Sequence, residues 1–177
     1  MSATLDAMFR YLDALDGQPT LDELRNELAR FDVTCDDVPS HLRFGDRSYQ
    51  RNLLRAGEWY HAWVLCWRNG QRSPIHDHRG SSCVVRVLRG VLTETIFEFA
   101  PNGHVKASFS RDFEVGSVLA SSDSDMHQVS NLQAGDAGLV TLHVYSPPLI
   151  LMGTYSLMER GRGEEPMLVE FCDAAGI

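Results

Sequence analysis

Residues 73–83 read SPIHDHRGSSC, which sets two histidines one residue apart and a cysteine five residues beyond the second, in a chain with seven histidines and four cysteines. On an extended strand, alternate side chains share a face. His76 and His78 can therefore offer both imidazoles to one divalent ion at about 2.0–2.2 Å. Histidines standing alone, such as His41, His61 and His104, read as ordinary core or surface residues. With a third imidazole, about three positions of a six-coordinate ion would stay open, and no protein carboxylate would offset its charge. Such a site favours an anionic ligand. A thiolate meets that need, with a neighbouring amine to complete a chelate and one position left for dioxygen. Soft sulfur suits iron and copper, and open imidazole sites are typical of non-haem Fe(II) oxygen chemistry, although zinc, manganese and nickel remain compatible with the ligands.

Holding such groups in place is work for strands, and the chain supplies them after two helices. Thr4 can cap a run in which Leu5, Met8, Phe9, Leu12 and Leu15 recur at helical spacing up to Gly17. Thr20 and Glu23 then form a capping box ahead of Leu21, Leu24, Leu28 and Phe31. From about Tyr49 the texture changes to short β-type runs: WYHAWVLCW, CVVRVLRGVLTETIFEF, VKASFSRDFEV, GSVLAS, GLVTLHVYS, and a terminal pair near TYSLM and MLVEF. Asn-Gly and Arg-Gly pairs separate several of them. The pattern predicts a mainly β fold, an antiparallel barrel or jelly roll with the N-terminal helices packed outside it. One domain is expected over residues 1–177, with a helical segment at 1–47 and the barrel at 48–177, a size that buries roughly 70% of the unfolded surface.

The bulk composition narrows the partners. There are 24 acidic against 16 basic residues, a net charge of -8, and no basic run forms a patch. This counts against nucleic acid and anionic membranes. No apolar stretch approaches the ~18 residues of a bilayer span, and the acidic, amphipathic N-terminus is unlike a signal peptide. Cys35, Cys66, Cys83 and Cys172 lack CxxC spacing, which suits reduced thiols. The expectation is a cytoplasmic protein, acting as a monomer on a small molecule.

The gapped pattern around the histidine pair sharpens this reading. Gly70, five residues, His76-x-His78, four residues, Cys83, six residues and Gly90 resembles the first cupin motif, with cysteine in place of its usual glutamate. Gly116, ten residues, His127, three residues and Asn131 resembles the second, with Ser122 and Ser124 replacing its proline and glycine. Together with YQRN at 49–52, LCW at 65–67, the GVLTET run and LHVYSPP at 142–148, these residues resemble the cysteine dioxygenase family from about Tyr49 to Pro148. The resemblance implies a cupin barrel holding Fe(II) on three histidines. It also implies addition of both atoms of O2 to the sulfur of free L-cysteine, giving cysteine sulfinate.

Carried over residue by residue, His76, His78 and His127 match the metal ligands, and Arg51 matches the arginine that receives the substrate carboxylate, a task suited to a rigid guanidinium fork. Tyr49, sharing a face with Arg51, matches a tyrosine at the carboxylate end, and Trp67 matches a tryptophan packed near the metal. Cys83 and Tyr145 match a pair joined by a thioether cross-link in animal members. Strict alternation would put Cys83 on the opposite face from His78, so the RGSS stretch must contain a bulge or irregular turn, for which Gly80 is suited. Thr141, His143 and Tyr145 lie at alternate positions of one strand, which permits a hydrogen-bond relay from hydroxyl to imidazole to phenol. The family usually has serine at the Thr141 position. Ser146-Pro147 matches a cis peptide of the family, while the sequence alone leaves trans as the default. Competing readings are a dioxygenase of another thiol such as 3-mercaptopropionate, a metal-binding cupin without turnover, and a cupin isomerase or decarboxylase. Arg51 and Cys83 count against the first, and the missing glutamate against the last.

Overall fold

The computed structural model describes residues 2–122 and 124–167. Two helices, α1 (Ala3–Asp13) and α2 (Leu21–Ala29), precede eleven strands: β1 (Gln50–Ala56), β2 (His61–Trp67), β3 (Ile75–Asp77), β4 (Ser82–Arg89), β5 (Leu92–Phe99), β6 (Val105–Phe113), β7 (Val118–Ser121), β8 (His127–Ser130), β9 (Leu139–Ser146), β10 (Leu151–Tyr155) and β11 (Arg162–Pro166). The strands form a five-stranded sheet in the order β1-β2-β9-β4-β7 and a six-stranded sheet in the order β11-β10-β3-β8-β5-β6. Every pairing is antiparallel. The architecture is the mainly β, two-sheet jelly roll that the run of short strands predicts.

Both helices begin at capped ends. Ser2, rather than Thr4, caps α1 by accepting from the Leu5 amide at 3.2 Å, because the helix starts one residue before the expected cap. Thr20 and Glu23 form the expected capping box on α2. The apolar stripe of the helices, Leu5, Met8, Phe9, Leu12, Leu24 and Leu28, packs against the outer face of the five-stranded sheet. There it meets Val64, Val84, Leu142 and Val144. Each such burial contributes on the order of 1.5–3 kcal/mol, which ties the helices firmly to β2, β4 and β9.

Strand alternation then sorts the inner face. On β9, Val140, Leu142 and Val144 face the helices, while Leu139, Thr141, His143 and Tyr145 face the space between the sheets. On β2, Ala62, Val64 and Cys66 point outward, and Trp63, Leu65 and Trp67 inward. Because both faces are covered, β2 and β9 are buried along their whole length. The last hairpin differs from expectation: β10 pairs with Arg162–Pro166, from Leu151↔Pro166 to Tyr155↔Arg162. Charged side chains hid that strand from a search for apolar alternation. The strand expected at MLVEF falls, beyond Met167, outside the described residues. Ser146-Pro147 is cis, correcting the trans default; a tertiary X-Pro amide has only a small trans preference to overcome.

Candidate metal and thiol site

The β3–β8 pairing sets His76 directly opposite His127, and His78 follows β3 by one residue. This brings three imidazoles from distant parts of the chain together. Their ring centroids lie 4.6–5.2 Å apart, and one nitrogen from each falls within a 4.8 Å group. All three rings are buried. His127 Nδ1–H donates to Glu94 Oε1 at 2.9 Å, and His76 Nδ1–H donates to the Pro74 carbonyl at 3.0 Å. These bonds leave a lone pair on Nε2 of each ring. His127 Nε2 and His78 Nε2 stand 3.2 Å apart, His78 Nδ1 has no partner among the described residues, and a shared cation would satisfy the facing pair at once. Burial pushes His76 down to about 3. Burial, reinforced by His127 and His76, holds His78 well below its ordinary value. Three imidazoles converging in this way fit a divalent metal.

Glu94 is the carboxylate behind this group. Lying on β5 opposite Val129, it presents one oxygen to His127 and the other to Arg111 at 2.8 Å. Burial raises its pKa, but His127 and Arg111 outweigh burial and leave it below the ordinary carboxylate range. Since Glu94 binds Nδ1, on the far edge of the His127 ring from Nε2, it braces the ligand without joining the set. Asp77, between the two histidines, is likewise buried and accepts from the Gly153 amide at 3.1 Å, the Tyr155 hydroxyl at 2.5 Å and Arg162 at 2.7 Å. A Cβ on Gly153 would fall where the Arg162 guanidinium lies, so glycine there keeps the Asp77–Arg162 pair possible.

The facing wall is the five-stranded sheet. The Trp67 indole N–H donates to Thr141 Oγ1 at 3.0 Å, Thr141 Oγ1 lies 2.9 Å from His143 Nε2, and His143 Nδ1 lies 3.3 Å from the Tyr145 hydroxyl. The extra methyl of Thr141 is accommodated without loss of either bond. Burial lowers His143 to about 3 and holds the Tyr145 phenol well above its ordinary value. Cys83 sits directly opposite Tyr145 in the β4–β9 pairing, its sulfur 4.0 Å from His143 Nδ1, and burial pushes its thiol up. The alternation problem between His78 and Cys83 disappears because the two belong to different sheets. Arg79 at φ 42° and Gly80 at φ 93° turn the chain between them.

At the β1 side, Arg51 and Tyr49 reach the same space. Tyr49 stacks on Trp67, with ring centroids 4.1 Å apart and an interplanar angle of 16°, and the Arg51 guanidinium lies 5.8 Å from the Tyr49 centroid. A small cavity is lined by Tyr49, Arg51, Trp67, the three clustered histidines, Cys83, His143 and Tyr145. Of the residues singled out in the sequence, only Thr141 lies behind the lining, reaching it through His143. Sequence reasoning missed Glu94, Asp77, Ser73 and the methionines Met152 and Met167, the last three of which also line the cavity. Glu94 stands in the GVLTET run, but nothing in a single strand marks a glutamate as inward-facing.

Similarity to known proteins extends over most of the chain. The model of a family described as "Cysteine dioxygenase type I" matches residues 19–158. Cysteine dioxygenase type 1 of Rattus norvegicus is 29% identical over 151 residues, covering 82% of this chain and 75% of its own. The Homo sapiens protein of that name shows 29% identity over the same coverage. Among solved structures, a Klebsiella pneumoniae protein with a double-stranded β-helix domain superposes with a TM-score of 0.54 at 13% identity, over 73% of this chain and 87% of that one. That likeness shows the cupin fold.

Proposed function

The chain belongs to the cysteine dioxygenase type I family, and on that premise we propose how its own residues perform the addition of both atoms of O2 to the sulfur of L-cysteine. The observation that carries the reading is the convergence of His76, His78 and His127 in a buried cavity shared with Arg51 and Tyr145. The three imidazoles would hold Fe(II), and the metal, when bound, supplies dioxygen activation and a soft acceptor for the thiolate. Arg51 receives the substrate carboxylate through its fork of N–H donors, and Tyr49, stacked on Trp67, closes that end. Holding the thiol at a fixed distance and angle is the main contribution of the protein. The relay from Trp67 through Thr141 and His143 fixes the Tyr145 phenol, which offers a hydrogen bond to the sulfur end of the substrate. Leu65, Val129 and Met152 supply apolar lining to the cavity.

The same proposal covers Cys83. Facing Tyr145 across one strand pair, it is placed to form a carbon–sulfur bond to the Tyr145 ring, with the two hydrogens lost taken up by dioxygen. Peptide mass mapping should show the joined peptides two hydrogens lighter than their sum. We also place the enzyme in a reducing cytoplasm as a monomer. Cys35, Cys66 and Cys83 are free thiols, and no helix among the described residues is long and apolar enough to cross a membrane. Gel filtration of the reduced protein tests the monomer.

The deciding experiment is oxygen uptake by iron-loaded protein supplied in turn with cysteine, cysteamine, homocysteine and 3-mercaptopropionate, with products weighed. Uptake with cysteine and a product heavier by two oxygens is expected. Stoichiometric metal binding without uptake on any thiol would instead assign a binding protein.

A further inference from the structure

Arg51 is already partnered in the cavity. The Glu165 carboxylate lies 3.8 Å from its guanidinium, with side-chain exposures of 24% for Arg51 and 42% for Glu165. Met167, two residues further on, lies against the same guanidinium and is 5% exposed. Both residues sit on one side of the β11 segment. The other side of β11 is fastened to the histidine loop, by Arg162 to Asp77 at 2.7 Å and by Glu164 to Arg79. Glu165 is thus held beside Arg51, outside the residues that line the cavity, by a strand anchored at two points rather than by a loose tail. Its charge is felt there: after burial and the opposing effect of Arg51, Glu165 is among the groups that raise the Tyr49 phenol.

A substrate carboxylate would bind the same guanidinium that Glu165 faces as an ion pair at 3.8 Å, beyond hydrogen-bond length. Five N–H donors can serve two carboxylates at once, but the two anions then stand side by side and repel. We infer that Glu165 is a specificity-determining residue, an internal carboxylate that competes for Arg51 and lowers the affinity of carboxylate-bearing thiols while leaving thiols without a carboxylate untouched. The inference rests on the proposed role of Arg51. Before substrate binds, Glu165 partly neutralises the guanidinium. When substrate binds, the neighbouring charge weakens the hold on substrate and product alike, which favours release.

The test is anaerobic binding to the iron-loaded protein of two thiols that differ at this position, cysteine and cysteamine, followed by KM and kcat in air. Glu165→Gln should tighten cysteine about three- to tenfold, the size of a partly screened charge at this range, and should leave cysteamine unchanged. Glu165→Asp, whose charge is drawn back by one methylene, should fall between. In an Arg51→Gln background the gain from Glu165→Gln should vanish, since the two effects share one partner. Equal changes for both thiols, no change for either, or a gain that persists without Arg51 would overturn the inference. If Arg51→Gln itself left cysteine binding unchanged, the role of Arg51 would be the part to fail.

Discussion

On the six-stranded wall of the cavity, two buried carboxylates reach outward to arginines: Glu94, which braces His127, pairs with Arg111, and Asp77, between His76 and His78 in sequence, pairs with Arg162. The five-stranded wall has no such carboxylate among its described inward-facing residues. Apart from Arg51 at its β1 edge, the polar groups that run from Trp67 through Thr141 and His143 to Tyr145 are neutral and satisfy one another in a line. The difference follows from what each wall is proposed to hold. A wall that carries a dication gains from anions nearby, provided each anion is itself neutralised by a cation at the surface. The stretch of the other wall that positions one phenol needs direction rather than charge, and a buried charge beside it would be costly.

The contrast can be broken by experiment. His127→Ala should abolish metal retention and oxygen uptake together, measured as iron per chain after desalting; activity surviving without iron would end the metal-wall reading. Glu94→Gln keeps the shape of the side chain but removes the acceptor charge, and should weaken metal affinity by about 10–100-fold, measured by competition with a chelator. Thr141→Val should leave iron content unchanged and lower kcat about tenfold, as expected when a proton-handling group loses its orientation. If Thr141→Val lost iron, or Glu94→Gln lost only kcat, the division of labour between the walls would be wrong. Gly153→Ala should displace Arg162 from Asp77 and lower stability by about 1–3 kcal/mol, read from denaturant midpoints of the metal-free chain.

The smallest expected effect concerns pH. His143 is buried neutral with its pKa near 3, against about 6.5 in an unfolded chain. Below about pH 6.5 the unfolded state therefore binds more protons than the folded state, and stability falls as pH drops from there toward 3. Melting temperatures of the metal-free chain at pH 7.5 and about pH 5.5 should show this decline, and His143→Gln should make it shallower. An unchanged slope would mean that His143 is less enclosed than its position on β9 implies.

The features legible in the sequence are those that a single strand or helix turn encodes. Alternation alone puts Thr141, His143 and Tyr145 on one face, and HxH spacing marks His76 and His78. Partnerships that depend on register were not legible. Glu94 meets Arg111 only because β5 pairs with β6, and it meets His127 only because β5 also pairs with β8. In TETIFEF, Glu94 and Glu98 look alike, yet the first is buried and the second exposed. Cys83 seemed misplaced while alternation was carried through residues 78–83; the chain changes sheets there, and counting parity across a turn has no meaning. Glu165 and Met167 escaped notice because a charged hairpin strand brings them back to Arg51.

The one-way character of hydrogen bonding at Trp67 has a consequence at the opposite end of that wall. An indole nitrogen can give a hydrogen but take none, so the Thr141 oxygen must receive it, and the enclosed threonine hydroxyl passes its own hydrogen on to His143 Nε2. The imidazole is thereby committed to carrying its hydrogen on Nδ1, directed at the phenol. Tyr145 oxygen becomes a receiver from within the sheet, and the hydrogen it owns is left over, turned toward Cys83 and the open space. An aromatic ring three residues away along this chain of bonds thus dictates which hydrogen an incoming sulfur would meet.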